Sequence, residues 1–386
     1  MKNTTPSHPD YIFCALADTG GAHRAVARTL EKFLRARPGA PACDYQAVDI
    51  YSATSRFCDA SIKLYPDILD TRPHFYNWYY DLVNRPWAWE FFYRGFIRPL
   101  MRRRVAGLFR DTTPLLVLST CALTGRITAD ALEFKGWKEK VRLVVVVVDL
   151  FRLHCSWAEP RADHFLVVTE EAQAELSRLR IPAEKITRIR FPLAPDFSPP
   201  PERKKARLEL GLDDGRIVAL VMGGAGGNGR MEEIVEWLRA ENPELGILAV
   251  AGWNQELENR LKNRHGEDNP LVRIFGYTDQ VSRLMSASDF LITKPGPCTM
   301  LEAFSCRLPL VIHGFVPRQE EGNVKFILDH RLGLVLNPRD MDPLRRIVSS
   351  SDYRAEFAGK ASRVGEKFFS GESAGKVLAR LAWEKP

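Results

Sequence analysis

Asp289-Phe290-Leu291-Ile292-Thr293-Lys294-Pro295-Gly296-Pro297-Cys298-Thr299-Met300-Leu301-Glu302-Ala303 is the stretch on which the reading of this chain turns. Phe290–Thr293 is a short apolar run without alternation, the pattern of a strand covered on both faces of a parallel sheet. Pro295, Gly296 and Pro297 restrict the loop that follows, and a helix then begins with Thr299 near its cap. Strand, loop and helix in this order form the repeating unit of an α/β fold. Thr299 and Glu302 fit a capping box. The same spacing suits a site: phosphate against the helix N-terminus, backed by the amides of 295–299 and the Lys294 cation, with Glu302 a turn further on accepting hydrogen bonds from a ribose diol.

The unit recurs on either side. Ile217–Met222 runs into Gly223-Gly224-Ala225-Gly226-Gly227, and Gly246–Ala251, Val272–Phe275, Leu310–His313 and Gly333–Val335 read as further strands. The glycine loop lacks the Lys-Ser/Thr ending of a P-loop and the acid-paired GxGxxG of a dinucleotide site, so neither ATP hydrolysis nor nicotinamide chemistry is indicated. Upstream, Tyr11–Ala17 enters Asp18-Thr19-Gly20-Gly21-Ala22-His23-Arg24, followed by apolar residues at helical spacing. Leu115–Ser119, Leu143–Val148 and Phe165–Thr169 read as strands, and Glu170–Arg180 as a helix. Between the two series lies FPLAPDFSPPPERKK at 191–205, whose five prolines predict a linker. The expected organisation is a Rossmann-like domain over 1–190, that linker, a second Rossmann-like domain over 206–365, and a C-terminal helix over 366–386 packing back on the first domain.

Composition agrees with two folded domains. Of 386 residues, 45% are apolar and 27% charged, with 26 Gly and 25 Pro, which excludes collagen-like and disordered classes. The 55 basic and 48 acidic residues leave +7, and residues 1–200 carry 28 basic against 22 acidic, so an anionic partner should meet the first half. Seven cysteines without CxxC or Cys/His ligand spacing argue against a disulfide scaffold or zinc site and fit a reducing compartment, the cytoplasm. The opening MKNTTPSHPD is polar and no apolar run reaches the ~20 residues a bilayer span needs, so any association with a membrane is expected to be peripheral.

Two further segments carry chemistry. In the Asp18–Arg24 loop, Gly20 and Gly21 let backbone amides approach an anion, and His23 at the helix start can take a proton at neutral pH, with Asp18 orienting it or acting as the base itself. After Leu310–His313, the cluster Pro317-Arg318-Gln319-Glu320-Glu321-Gly322-Asn323 offers Gln319, Glu320 and Asn323 to sugar hydroxyls. Asp340-Met341-Asp342 has DxD spacing but follows no apolar strand, so neither an obligatory metal nor another cofactor is expected. Residues 75–110 interleave aromatics, Trp78, Trp87 and Trp89 among them, with Arg94, Arg98, Arg102 and Arg103, and Glu90 is the only acid from 85 to 110. That combination predicts docking on an anionic membrane surface. Nucleic acid fits worse, because the second half lacks a basic stripe.

The segments Ala17–Arg24, Met222–Gly227, Ile292–Ala303 and Pro317–Ile327, together with Val148-Asp149-Leu150 and His154-Cys155-Ser156-Trp157, resemble the monogalactosyldiacylglycerol synthase group, which is related to the MurG-type transferases. The resemblance runs colinearly through most of residues 11–340. It implies a GT-B architecture, two Rossmann-like domains facing across a cleft, and an inverting transferase moving a hexosyl unit from a UDP-sugar to diacylglycerol or a similar lipid at the cytoplasmic membrane face. It further implies that Gly20, Gly21, Gly223, Gly224, Lys294, Gly296, Pro297, Cys298 and Thr299 surround the diphosphate and that Glu302 holds the ribose. Uracil is expected near Phe275-Gly276-Tyr277, and His154 and Trp157 toward the acceptor. A polyprenyl-linked acceptor, or lipid binding without catalysis, are the alternatives. Ala22 stands where the family usually has a third glycine, and Cys298 where its PGPGT would have one.

Overall fold

The computed structural model describes residues 8–17, 21–36, 41–56, 59–60, 72–224, 226–227, 230–337 and 340–383. Two compact units result: unit 1 is 1–192, 317–319 and 370–386, and unit 2 is 193–316 and 320–369.

The strands of unit 1 are β1 (Tyr11–Leu16), β2 (Asp44–Asp49), β3 (Leu116–Ser119), β4 (Arg142–Val146), β5 (His164–Val167) and β6 (Ile186–Arg190). Unit 2 holds β7 (Val218–Met222), β8 (Gly246–Val250), β9 (Val272–Phe275), β10 (Phe290–Thr293), β11 (Leu310–Ile312) and β12 (Gly333–Val335). A two-residue β13 (Glu372–Ser373) returns to the first sheet, whose order is β13-β6-β5-β4-β3-β1-β2; the second runs β12-β11-β10-β7-β8-β9. Every pairing within the sheets is parallel, with Ile12 opposite Leu116 and Ile292 opposite both Val221 and Val311. The expected α/β class therefore holds in both halves. Apolar side chains of β1, β3, β4, β7 and β10 are buried almost completely, each contributing about 1.5–3 kcal/mol.

In each sheet the first strand is an inner one: the chain lays β2 beside β1, or β8 and β9 beside β7, and then crosses to the other side. The strand order reverses between β1 and β3 in unit 1 and between β7 and β10 in unit 2. Loops at the carboxyl ends of such strands diverge and leave a crevice where ligands bind.

β2 and β6 were not among the expected strands. DYQAVD and ITRIR carry too much polarity to read as buried runs, because β2 is an edge strand and β6, paired with β5 on one side, is covered on the other only by the two-residue β13. The stretch 191–205 is not wholly irregular: a 3₁₀ turn spans Pro195–Phe197 and a helix spans Arg203–Glu209. That helix is tied down by Arg207, 1% exposed, whose guanidinium donates to Asp289 Oδ2 (2.8 Å) and to the carbonyls of Ala287, Asp213, Asp214 and Arg216 (2.8–3.0 Å). Residue 366 falls inside the helix Ser351–Phe369, so the chain leaves unit 2 at Phe369 rather than at the expected 365. The final helix, Ala374–Trp383, packs in unit 1 against Ala22–Arg35, where a side chain on Gly375 would come within 2.8 Å of Phe33.

Candidate active site

In unit 1 the expected catalytic loop ends at the reversal point. Asp18 and Gly20 lie outside the described residues. Gly21, at φ 82°, precedes the helix Ala22–Arg35, a left-handed conformation that favours glycine. His23 is 8% exposed and sits over the end of β3: its Nδ1 lies 2.5 Å from the Thr120 carbonyl, and Thr120 Oγ1 donates to the His23 carbonyl (3.3 Å). A carbonyl only accepts, so Nδ1 carries a proton and Nε2 is the nitrogen at which the ring gains or loses its second one. Burial alone would push this imidazole down, but Cys121 and the Asp149 carboxyl more than offset it and bring the group up to about 9. Asp149 is itself pushed upward by burial and accepts from Trp157 Nε1 (2.7 Å).

Thr120, Cys121 and Asp149 were not singled out from the sequence as partners of His23. Asp149 ends an apolar run, which was the available signal; the other two follow β3 without a mark of their own. Trp157, expected near the acceptor, is 1% exposed, and this is a correction: the indole is a core side chain whose N–H holds Asp149. His154 is wedged edge-on between Tyr80 (5.2 Å) and Trp89 (5.7 Å), accepts at Nδ1 from the Ser156 amide (3.1 Å), and is held down to about 4 by burial.

The aromatic-basic segment divides in two. Trp89 is 6% exposed and packs on Tyr93, so it belongs to the core rather than to a docking face. Trp78 and Trp87 are exposed, by 61% and 66%, as are Phe75, Phe91 and Phe96. Arg94 pairs with Glu90, Arg98 with Asp130 (3.0 Å), and Arg102 and Arg103 lie over the half-exposed ring of Phe134 (5.2 and 5.8 Å). No helix among the described residues is long and apolar enough to cross a membrane.

Unit 2 gathers most of its expected residues around β7 and β10. The helix Pro297–Ser305 has Gly296 at its N-cap and Pro297 at N1, and its first backbone bond runs from the Met300 amide to the Gly296 carbonyl (2.9 Å). The first-turn amides at the N-terminus of such a helix point outward, as a phosphate requires. The capping box is not formed: Thr299 lies inside the helix and no side chain caps it. The Glu302 carboxyl consequently makes no hydrogen bond or ion pair with a described residue, and burial brings it up to about 7. Lys294 likewise pairs with no described carboxylate. Glu320 accepts from the Val316 amide (2.7 Å), and Asn323 donates to the Pro295 carbonyl (2.8 Å), which makes the amide nitrogen of Asn323 a support of the loop. The Cys298 thiol is buried and pushed well up, so it acts as a small apolar group. Gln319 is grouped with unit 1.

In the glycine loop, Gly224 has φ 78° and faces open space, whereas a Cβ on Gly227 would lie 1.9 Å from the Ala251 carbonyl. Gly223 connects β7 to this loop. Farther along the edge, Phe275 ends β9 and Gly276 is pressed by the Glu258 carboxylate, which would lie 2.4 Å from an added Cβ. Tyr277 stacks on Trp253 at 3.7 Å and 11°, both rings largely exposed; Trp253 was missed, its only signal being Gly252-Trp253 directly after a strand. Among the described residues no cluster of three or more His, Cys, Asp or Glu side chains is placed to hold a metal ion.

Comparison with known proteins finds a separate likeness for each half of the chain. Residues 23–192 match the family model described as monogalactosyldiacylglycerol (MGDG) synthase, and residues 218–347 match the glycosyltransferase family 28 C-terminal domain. Chloroplastic monogalactosyldiacylglycerol synthase of Spinacia oleracea is 25% identical over 359 residues, covering 87% of this chain and 65% of the spinach protein. Monogalactosyldiacylglycerol synthase 1 of Arabidopsis thaliana is 25% identical over 353 residues, covering 86% of this chain and 63% of its own length. The chain thus spans slightly less than two thirds of these relatives. Among solved structures, Acinetobacter baumannii MurG aligns with TM-score 0.58 at 14% identity over 98% of this chain and all of that one, and WaaG, a glycosyltransferase involved in lipopolysaccharide biosynthesis, with TM-score 0.55 at 14% identity over 97% and 100%. These likenesses establish the GT-B fold. This chain is thus similar to the monogalactosyldiacylglycerol synthases over residues 23–192 and to the glycosyltransferase family 28 C-terminal domain over residues 218–347.

Proposed function

We propose that the protein is an inverting glycosyltransferase that moves a hexosyl unit from a UDP-sugar to the free hydroxyl of diacylglycerol or a similar lipid. The observation that carries this reading is the colinear match to the MGDG synthase and family 28 models, each with its candidate residues at a sheet's reversal point. The acceptor oxygen attacks the anomeric carbon as the bond to the diphosphate oxygen breaks, and UDP leaves with the electron pair. The acceptor proton passes to Nε2 of His23, the nitrogen not turned to the Thr120 carbonyl. Lys294 and the amides of Cys298 and Thr299 neutralise the departing diphosphate, with Gly223, Gly224 and Gly296 permitting close approach. Glu302 receives the ribose hydroxyls, Gln319 and Glu320 read the sugar, and uracil lies by Phe275-Gly276-Tyr277.

The reading is tested by incubating the purified protein with a panel of UDP-sugars and diacylglycerol-containing vesicles and weighing the products. A hexosyl-diacylglycerol supports it. Product only on a polyprenyl acceptor, or none with any donor, rejects it.

Glu302 gives a second test. A carboxyl at about 7 is half protonated near neutrality, and only its charged form accepts both ribose hydroxyls. Donor KM is therefore expected to fall as pH rises from 6 to 8. Glu302→Gln should flatten that dependence and raise KM about tenfold or more, the worth of hydrogen bonds to a charged group. A KM for Glu302→Gln equal to wild type sinks the assignment.

The exposed Trp78, Trp87, Phe91 and Phe96 beside Arg94 and Arg103 support docking on an anionic membrane at its cytoplasmic face. Replacing both Trp78 and Trp87 by Ser is expected to weaken sedimentation with anionic vesicles by about tenfold or more, since each indole buries several apolar groups at about 0.8 kcal/mol per CH₂-sized unit. Turnover of a short-chain, water-soluble acceptor should stay within twofold. Unchanged sedimentation would exclude this face.

A further inference from the structure

His313 directly follows β11, the neighbour of β10, and its amide donates to the Thr293 carbonyl (3.1 Å). The side chain is 5% exposed, yet neither Nδ1 nor Nε2 has a hydrogen-bond partner among the described residues. A buried imidazole with both nitrogens idle is costly, because it forfeits its hydration without replacement. Around the ring stand the main chain of Met222 at the end of β7, Lys294 after β10, and Arg230 before the helix Met231–Glu241. Gly314 next to it and Gly224 after β7 both border open space, since a Cβ on either would meet nothing within 4 Å. The unpaired ring thus belongs to the same strand ends as the Lys294 cation and the N-terminus of the helix Pro297–Ser305.

We infer that His313 is a sugar-reading residue of the donor site, its two ring nitrogens bonding hydroxyls of the hexose rather than the diphosphate. The inference rests on the UDP-sugar reading given above and extends it to a residue outside the expected set. Burial, together with the neighbouring Lys294 and Arg230 cations, holds the imidazole down to about 4, so it is neutral at physiological pH. A neutral imidazole offers one donor and one acceptor. Diphosphate oxygens only accept and would leave one nitrogen unpaired. Adjacent sugar hydroxyls can each donate and accept, so they pair both.

The test is calorimetric titration of the full chain and its His313→Leu variant with UDP and with UDP-hexoses, the donor preference being set by wild type. The apolar replacement is expected to raise the melting temperature by a few degrees, about what removing an unsatisfied buried polar group yields. UDP affinity should stay within twofold, while affinity for the preferred UDP-hexose falls by about tenfold, erasing most of the contribution of the sugar. His313→Asn, which keeps a donor and an acceptor, should recover part of the loss and serves as the readout if His313→Leu fails to fold. Equal weakening toward UDP and UDP-hexose, or no weakening toward either, overturns the inference while leaving the transferase reading intact. Wild type that binds neither UDP nor any UDP-hexose defeats that reading and this inference with it.

Discussion

Replacing His23 by Ala is expected to lower kcat by about 10²–10⁴-fold, the range by which a positioned base accelerates proton removal, with donor KM nearly unchanged. His23→Gln, which can still donate to the Thr120 carbonyl but cannot take a proton, should be as slow as His23→Ala. The pH profile separates a base from a structural side chain. The free base is the unprotonated imidazole, and the group sits up at about 9, so wild-type kcat should climb with pH toward that value. The residual rate of His23→Ala should lose this climb. A variant retaining more than a tenth of wild-type kcat would move the base elsewhere, Asp18 being next. The proposed roles put the donor KM transition near 7, at Glu302, and the kcat transition near 9, at His23, so the two ionisations are expected to be read independently.

The second large effect concerns stability. Arg207→Ala is expected to cost about 3–5 kcal/mol, because it strips a buried guanidinium from Asp289 and from the four carbonyls that converge on it. The loss should appear in denaturant titrations as an earlier unfolding step. An exposed pair gives the contrast: Arg178, 75% exposed beside Glu175, should cost at most about 1 kcal/mol when truncated. If both variants unfold at the same denaturant concentration, the knot around Arg207 is not holding its helix.

Burial on both faces made the central strands legible, since a parallel strand in mid-sheet must be apolar throughout and so stands out as Val/Leu runs. β2 and β6 escaped because their polar positions match no such run. The glycine loops and the Lys294–Glu302 stretch could be read because backbone geometry restricts which residues tolerate them. What stayed hidden is tertiary: that Trp89 and Trp157 face inward, that Thr120 and Asp149 converge on His23, and that His313 is left unpaired. Aromatic spacing alone does not tell a core side from an outward one, and contacts between residues a hundred positions apart leave no local trace.

The return of β13 and of the helix Ala374–Trp383 to the first sheet bears on how the protein can be taken apart. A fragment cut after Pro192 would leave the β6 edge bare and the helix Ala22–Arg35 without its cover, inviting strand-to-strand aggregation. Chimeras that exchange donor preference between relatives therefore need two splice points, one at 192/193 and one at 369/370, so that the transplanted segment is an insert inside a discontinuous host.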